Sequence, residues 1–209
     1  MSQTVLEQVP VLSMAELSKA DFAQAFGESF QRFGFAMVRD HGMDPGLIDE
    51  GWAMARRFFD LPEDAKRRYD AKYNGGQRGY TAFGTEIAKG ASENDLKEFW
   101  HVGRDLPEGD PLAQTMPPNV WPDEMPEFKP VFANLYREFD RVGAELLSAI
   151  ALYLGLPERW FDGPIDNGNS ILRLLHYPPV SPQAPGIRAG AHQDGHLITL
   201  LLGAEEGGL

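Results

Sequence analysis

The chain has 209 residues, a net charge of −12, 43% hydrophobic and 24% charged residues, and no Cys. This length suffices for one sizeable core or two small ones, and the acidic balance argues against nucleic acid or an anionic membrane as partner, since both call for a basic face. Without Cys, disulfides and thiolate metal sites are excluded, and with neither an apolar run of about 18 residues nor a signal peptide at Met1-Ser2-Gln3-Thr4-Val5, the expected compartment is the cytoplasm.

In chain order, Val9-Pro10-Val11-Leu12 reads as a short edge strand or a lead-in. Ser18 can cap a helix with Asp21 as its acidic partner, and Phe22, Ala25, Phe26, Phe30 and Phe33 form its apolar stripe, with Gly34 as the stop. Phe35-Ala36-Met37-Val38 reads as a strand buried on both faces, followed by a turn at His41-Gly42, where a structural His is expected. Asp44-Pro45 opens a helix to about Phe59 with Trp52, Ala55, Phe58 and Phe59 inward, and Leu61-Pro62-Glu63-Asp64 opens another. Arg56-Arg57 and Lys66-Arg67-Arg68 are read as solvated helix faces.

Residues 73–90 are rich in Gly but lack the Lys-Ser/Thr ending of a phosphate-binding loop. Residues 95–103 read as a strand, on which Glu98 and His101 fall on opposite faces and so cannot chelate together. A Pro-rich connection follows, with Trp121 as its anchor. The longest helix is expected over residues 127–154, because Phe128, Phe132, Leu135, Phe139, Val142, Leu146 and Ile150 recur at helical steps and Gly155 and Pro157 then end it. A short helical turn is expected over 156–163, a turn at Asn167-Gly168-Asn169, and strands over 171–177 and 191–202.

The chemistry concentrates in Gly190-Ala191-His192-Gln193-Asp194-Gly195-His196. Side chains on a strand repeat every two residues, so His192 and Asp194 can share one side. An imidazole and a carboxylate converging with open positions suit a two-His-one-carboxylate Fe(II) site. Taken alone, an HxD is more often a polar surface turn. His196 shares the alternation, but three successive same-face ligands span about 13 Å and cannot all close on one ion. His196 is therefore expected to face solvent or substrate.

The ordered series changes that weighing. Leu172-Arg173-Leu174-Leu175-His176-Tyr177-Pro178-Pro179, then His192-Gln193-Asp194, then Leu197-Ile198-Thr199-Leu200-Leu201 resembles the Fe(II)/2-oxoglutarate-dependent dioxygenases, in the branch that includes isopenicillin N synthase. Phe33-Gly34-Phe35, His41-Gly42, Leu61-Pro62, Gly79-Tyr80 and Lys97-Glu98-Phe99 extend the resemblance over nearly the whole chain. The family departures are Leu175, Gln193 and His196.

The resemblance implies an α+β fold: a mostly helical N-terminal region followed by a partial double-stranded β-helix, or jelly roll. Residues 1–125 would form the N-terminal dioxygenase region, 126–165 the long helix and connection, and 166–209 the start of the jelly roll. It implies His192 and Asp194 as metal ligands, Tyr177 as a contact to the co-substrate carboxylate, and Tyr80 beside a substrate, with Tyr80 as a packing residue the equal alternative. The cofactors implied are Fe(II), 2-oxoglutarate and O2, the partner a small-molecule substrate. The family supplies its second His on a strand well beyond the HxD, with an Arg-x-Ser after it, and no counterpart of either stands in these 209 residues. The expectation is accordingly a truncated or partial chain, inactive by itself. A 2-oxoglutarate-independent iron oxidase and an inactive binding module are the alternatives.

Overall fold

Ser18 starts the first helix in the manner its side chain allows. In the computed structural model, which describes residues 8–71, 76–87, 93–181, 183–184, 186–188, 190 and 194–203, its hydroxyl accepts from the Asp21 amide at 3.2 Å and donates to the Asp21 carboxylate at 2.6 Å. One of the unpaired donors of the first turn is thereby satisfied. Helix α1 spans Lys19–Phe33 and ends at Gly34, whose φ of 73° costs glycine little. Strand β1, Val11–Ser13, pairs in parallel with β2, Met37–Arg39.

The stretch around β2 departs from the expectation of a strand buried on both faces. Phe35 is 72% and Met37 51% exposed. Its ladder runs to β1 in a two-stranded sheet, and among the described residues no second layer covers the outer face.

The chain divides into two compact units. One takes the chain up to Asp44 together with Glu138–Asp166, and the other takes Pro45–Arg137 together with the chain from Asn167 onward. Helix α4, Phe128–Tyr153, contributes residues to each and matches the expected long helix to within a residue at either end. In the first unit Gly27 of α1 lies flat against the Tyr153 ring, where an added Cβ would stand 2.1 Å from Cγ. In the helical turn expected over 156–163, the Trp160 amide donates to the Pro157 carbonyl at 2.9 Å, and α5, Asp162–Ile165, follows.

The second unit holds α2, Pro45–Phe59, α3, Glu63–Arg67, and a three-stranded antiparallel sheet. Its strands are β3, Gly79–Thr81, β4, Glu98–Gly103, and β5, Ile171–His176, in the order β3-β4-β5. Phe58, Trp100 and Phe128 are fully buried at its centre, with ring centroids 4.7–5.6 Å apart in tilted and edge-on arrangements. Such aromatic contacts add to the gain from burial alone.

One strand expectation holds and one is corrected. The strand expected over 171–177 is β5, which pairs along its whole length with β4, from Glu98 opposite His176 to Gly103 opposite Ile171. Residues 194–203 carry no strand or bridge. A β-prone apolar run becomes a strand only where another strand satisfies its backbone, and no described segment pairs with it. The described architecture is mixed α+β.

Candidate functional site

Alternation along β4 and β5 sorts the polar groups of the sheet onto two faces. Register places Glu98 opposite His176 on one face and His101 opposite Arg173 on the other. The separation of Glu98 from His101 expected from strand geometry therefore holds.

On the first face, Lys66 from α3 reaches both Glu98 oxygens, at 2.9 and 2.8 Å, and the Phe59 carbonyl at 3.0 Å. Lys66 is 7% exposed, so its reading as part of a solvated face is wrong. Short α3 ends at Arg67 and aims this one ammonium inward, where a carboxylate meets it. His176 adds a bond from Nδ1 to Glu98 Oε1 at 2.7 Å, and its ring stacks on Phe59 at 5.0 Å. Tyr80, 1% exposed, donates its hydroxyl to Glu98 Oε2. Burial pushes Tyr80 up, and its bond to Glu98 pushes it further. Burial alone would raise the Glu98 carboxyl, but bonds from His176, Lys66 and Tyr80 outweigh it and leave the group below its ordinary value. Tyr80 thus lies in the interior, with its hydroxyl on Glu98.

On the second face, burial and then the neighbouring Arg173 push His101 down to about 4. The neutral ring donates from Nδ1 to the Gly76 carbonyl at 2.9 Å, and its Nε2 accepts from Arg173 Nε at 2.7 Å. Arg173 also lies over the Phe99 ring, 4.5 Å from its centroid.

The approach to the HxD is built against the lead-in to β4. Leu96 N–H donates to the Ile187 carbonyl at 2.7 Å, and Asp95 bridges Ile187 in parallel. Gly186 has φ 114°, and a Cβ there would stand 2.6 Å from the Asn94 carbonyl oxygen, so only glycine lets the two backbones meet. Arg188 donates to the carbonyls of Tyr177 at 3.1 Å and Pro178 at 3.4 Å, and its guanidinium lies 5.9 Å from the Tyr177 ring centroid. Tyr177 is half-buried one residue past the end of β5.

His192 lies outside the described residues. Asp194 is exposed, and its Oδ2 accepts from the Thr199 hydroxyl at 2.6 Å. His196 is exposed. Among the described residues no three His or acidic side chains converge. The donor chemistry nevertheless fits iron(II): an imidazole and a carboxylate two residues apart, no thiolate anywhere, and the carboxylate oriented by a hydroxyl in the way metal-binding carboxylates are.

Asp95, Lys97, Arg173 and Thr199 are polar groups of this region outside the site expected from the sequence, and Lys66 is one expected there only as a solvated cation. For Asp95 and Lys97 a signal existed. Two opposite charges at i and i+2 beside an apolar strand share a face and can pair there. The partners of Lys66, Arg173 and Thr199 lie too far along the chain, or in too irregular a stretch, for spacing to reveal them.

Comparison with known proteins gives the following. Residues 9–124 match the family described as non-haem dioxygenase in morphine synthesis, N-terminal. A 2-oxoglutarate-Fe(II) type oxidoreductase of Aspergillus fumigatus is 33% identical over 201 residues, covering 92% of this chain and 60% of that protein. The crystal structure of a 2OG-Fe(II) oxygenase family protein from Caulobacter crescentus superposes with a TM-score of 0.75 at 46% identity, covering 82% of this chain and 57% of that one. A full-length Neurospora crassa protein, solved in complex with alpha-KG, superposes with a TM-score of 0.70 at 27% identity, covering 87% of this chain and 60% of that one. The same Neurospora protein has been solved with alpha-KG and thymine. The chain therefore spans about three-fifths of the length of the relatives it matches.

Proposed function

The chain belongs to the Fe(II)/2-oxoglutarate-dependent dioxygenases, and from that membership we propose that the protein oxidises a small-molecule substrate with O2 and 2-oxoglutarate at an iron held by His192 and Asp194. The observation that carries this reading is the 46% identity to the Caulobacter 2OG-Fe(II) oxygenase family protein across 82% of the chain. Bound Fe(II) supplies the coupling of oxidative keto-acid decarboxylation to oxidation of a C–H bond.

The chain's own residues bind and orient. Asp194 offers a carboxylate already oriented by Thr199. Tyr177, whose carbonyl accepts from Arg188 and whose ring lies beside that guanidinium, would donate its hydroxyl to a co-substrate carboxylate. The exposed His196 faces solvent or substrate. A second His completes such a site. His101 is no candidate for it, because both its ring nitrogens are engaged, by Gly76 and by Arg173. We assign residues 166–209 to the opening of a jelly roll and residues 1–125 to the N-terminal region, with 126–165 between them. The Neurospora protein's complex with thymine supports a small molecule as substrate class. The net charge of −12 disfavours polyanions. Among the described residues no helix is long and apolar enough to cross a membrane.

The test is succinate formation by the whole protein with Fe(II) and 2-oxoglutarate. His192→Ala and Asp194→Ala are each expected to abolish it, and His41→Ala to leave it in place. The 209 residues by themselves are expected to form none. Succinate formation unchanged in His192→Ala would overturn the site, and iron-dependent O2 uptake without 2-oxoglutarate would shift the reading to an oxidase.

A further inference from the structure

We propose that Asp95 is a positioning residue for the metal-binding pair, acting through the backbone of residues 186–190. The proposal rests on the iron site assigned above and adds to it a residue far away in sequence.

Asp95 is 3% exposed, and both of its carboxylate oxygens are engaged. Oδ2 accepts from Lys97 Nζ at 2.7 Å, and Oδ1 faces the buried Gly190 amide at 3.4 Å. Lys97, 7% exposed, also reaches Glu86 Oε2 at 2.8 Å, and the Asp95 amide donates to the Glu86 carbonyl at 2.9 Å. Burial alone would lower the Lys97 ammonium, but bonds to Asp95 and Glu86 outweigh it and raise it. Glu86 Oε1 in turn stands 3.5 Å from Arg173 Nη1 on β5.

Holding residues 186–190 against the β4 lead-in does not by itself call for charge. Buried ion pairs are seldom more stabilising than well-packed apolar side chains of similar volume. What the carboxylate adds is direction: an acceptor aimed at one amide, anchored from behind by a lysine. That amide belongs to Gly190, two residues before His192. Two peptide units reach about 7 Å at most, so the place of Gly190 limits where the His192 backbone can lie. Upstream, Leu96 to Ile187 at 2.7 Å and the close approach of Gly186 to Asn94 fix the other end of the segment. The segment is thus pinned at its start by backbone contacts and at its end by Asp95. A metal ligand held by such outer contacts needs less ordering when the ion binds.

The experiment is an anaerobic Fe(II) titration of the whole protein with 2-oxoglutarate present, followed by the charge-transfer absorbance of the complex. Asp95→Ala is expected to weaken Fe(II) by about tenfold to a hundredfold, the usual range for outer-shell partners. Asp95→Asn, which keeps an acceptor for Gly190, is expected to stay close to the parent protein. In the metal-free protein, amide hydrogen exchange of residues 186–190 should quicken in Asp95→Ala and not in Asp95→Asn. If Asp95→Ala does not fold, Lys97→Met reports instead, since loss of the anchor should weaken Fe(II) in the same sense. Parent-like affinity in a folded Asp95→Ala overturns the proposal and leaves the iron site standing. Loss of affinity in Asp95→Ala and Asp95→Asn alike, matched by an equal fall in melting temperature, also overturns it. A parent protein that takes up no Fe(II) overturns the iron site itself, and the positioning role with it.

Discussion

The Lys66 ammonium spans both carboxylate oxygens of Glu98 at 2.9 and 2.8 Å, with the two side chains 9% and 5% exposed. Removing one member leaves the other charge buried without its counterion, a loss of about 3–5 kcal/mol. Glu98→Ala is expected to lower stability by that order in chemical denaturation. Lys66→Met combined with Glu98→Leu is expected to lose less than the sum of the single changes, because neither charge remains. Additive losses would show that the pair is not coupled.

This pair also marks the limit of what the sequence made legible. Local signals served well. Ser18 with Asp21, Gly34 as stop, and the 3–4 spacing of Phe128, Phe132, Leu135 and Leu146 gave α1 and α4 nearly to the residue. The alternation that put Glu98 and His101 on opposite faces was also local, and it held. Glu98, however, is 32 residues from Lys66 and 78 from His176, and no spacing rule reaches that far. Hence Lys66 read as a solvated cation, and the pairing of β5 with β4 appears only in the fold. Residues 194–203 failed in the opposite sense: their composition favours a strand, but strand formation depends on a neighbour and not on composition. In the site, the HxD was legible as a motif, whereas Thr199 on Asp194 and Asp95 behind Gly190 emerge only from the folded backbone.

His101 carries a pH prediction. Its folded value is about 4, below the ordinary 6.5, because burial and Arg173 disfavour the charged ring. The unfolded chain therefore binds more protons as pH falls from 6.5 toward 4, and stability drops over that window. Above 6.5 the ring is neutral in both states and adds no slope. His101→Gln keeps an acceptor for Arg173 and does not titrate. Its stability should fall less steeply than the parent protein's across this window, as read by urea midpoints at a series of pH values. Identical slopes would mean that His101 does not titrate differently on folding.

Gly79 and Gly84 both have positive φ, 88° and 66°, but their surroundings differ. A Cβ at Gly79 would lie 2.6 Å from the Tyr69 carbonyl oxygen, which accepts the Tyr80 amide at 2.9 Å and so cannot easily retreat. At Gly84 a Cβ meets nothing within 4 Å. Gly84→Ala bears the backbone strain alone, on the order of 1 kcal/mol, and Gly79→Ala adds an overpacking cost of about 1–3 kcal/mol. Thermal or urea denaturation separates the two, and equal losses would contradict the close approach at Tyr69.

Thr199 offers a test of Asp194 that leaves the carboxylate itself intact. Its hydroxyl donates to Asp194 Oδ2 at 2.6 Å, a short bond to an exposed charged acceptor. Exposure limits what this bond adds to folding, so Thr199→Val should leave the melting temperature nearly unchanged. If Asp194 ligates iron, the same bond fixes which way the carboxylate turns, and its loss should weaken Fe(II) by about tenfold, the low end for outer-shell partners. Thr199→Ser retains a hydroxyl and should retain the affinity. Fe(II) titration of the three proteins under anaerobic conditions gives the comparison. Should Thr199→Val bind Fe(II) as tightly as the parent protein while Asp194→Ala loses it, Asp194 would be a ligand whose orientation is set by something other than Thr199.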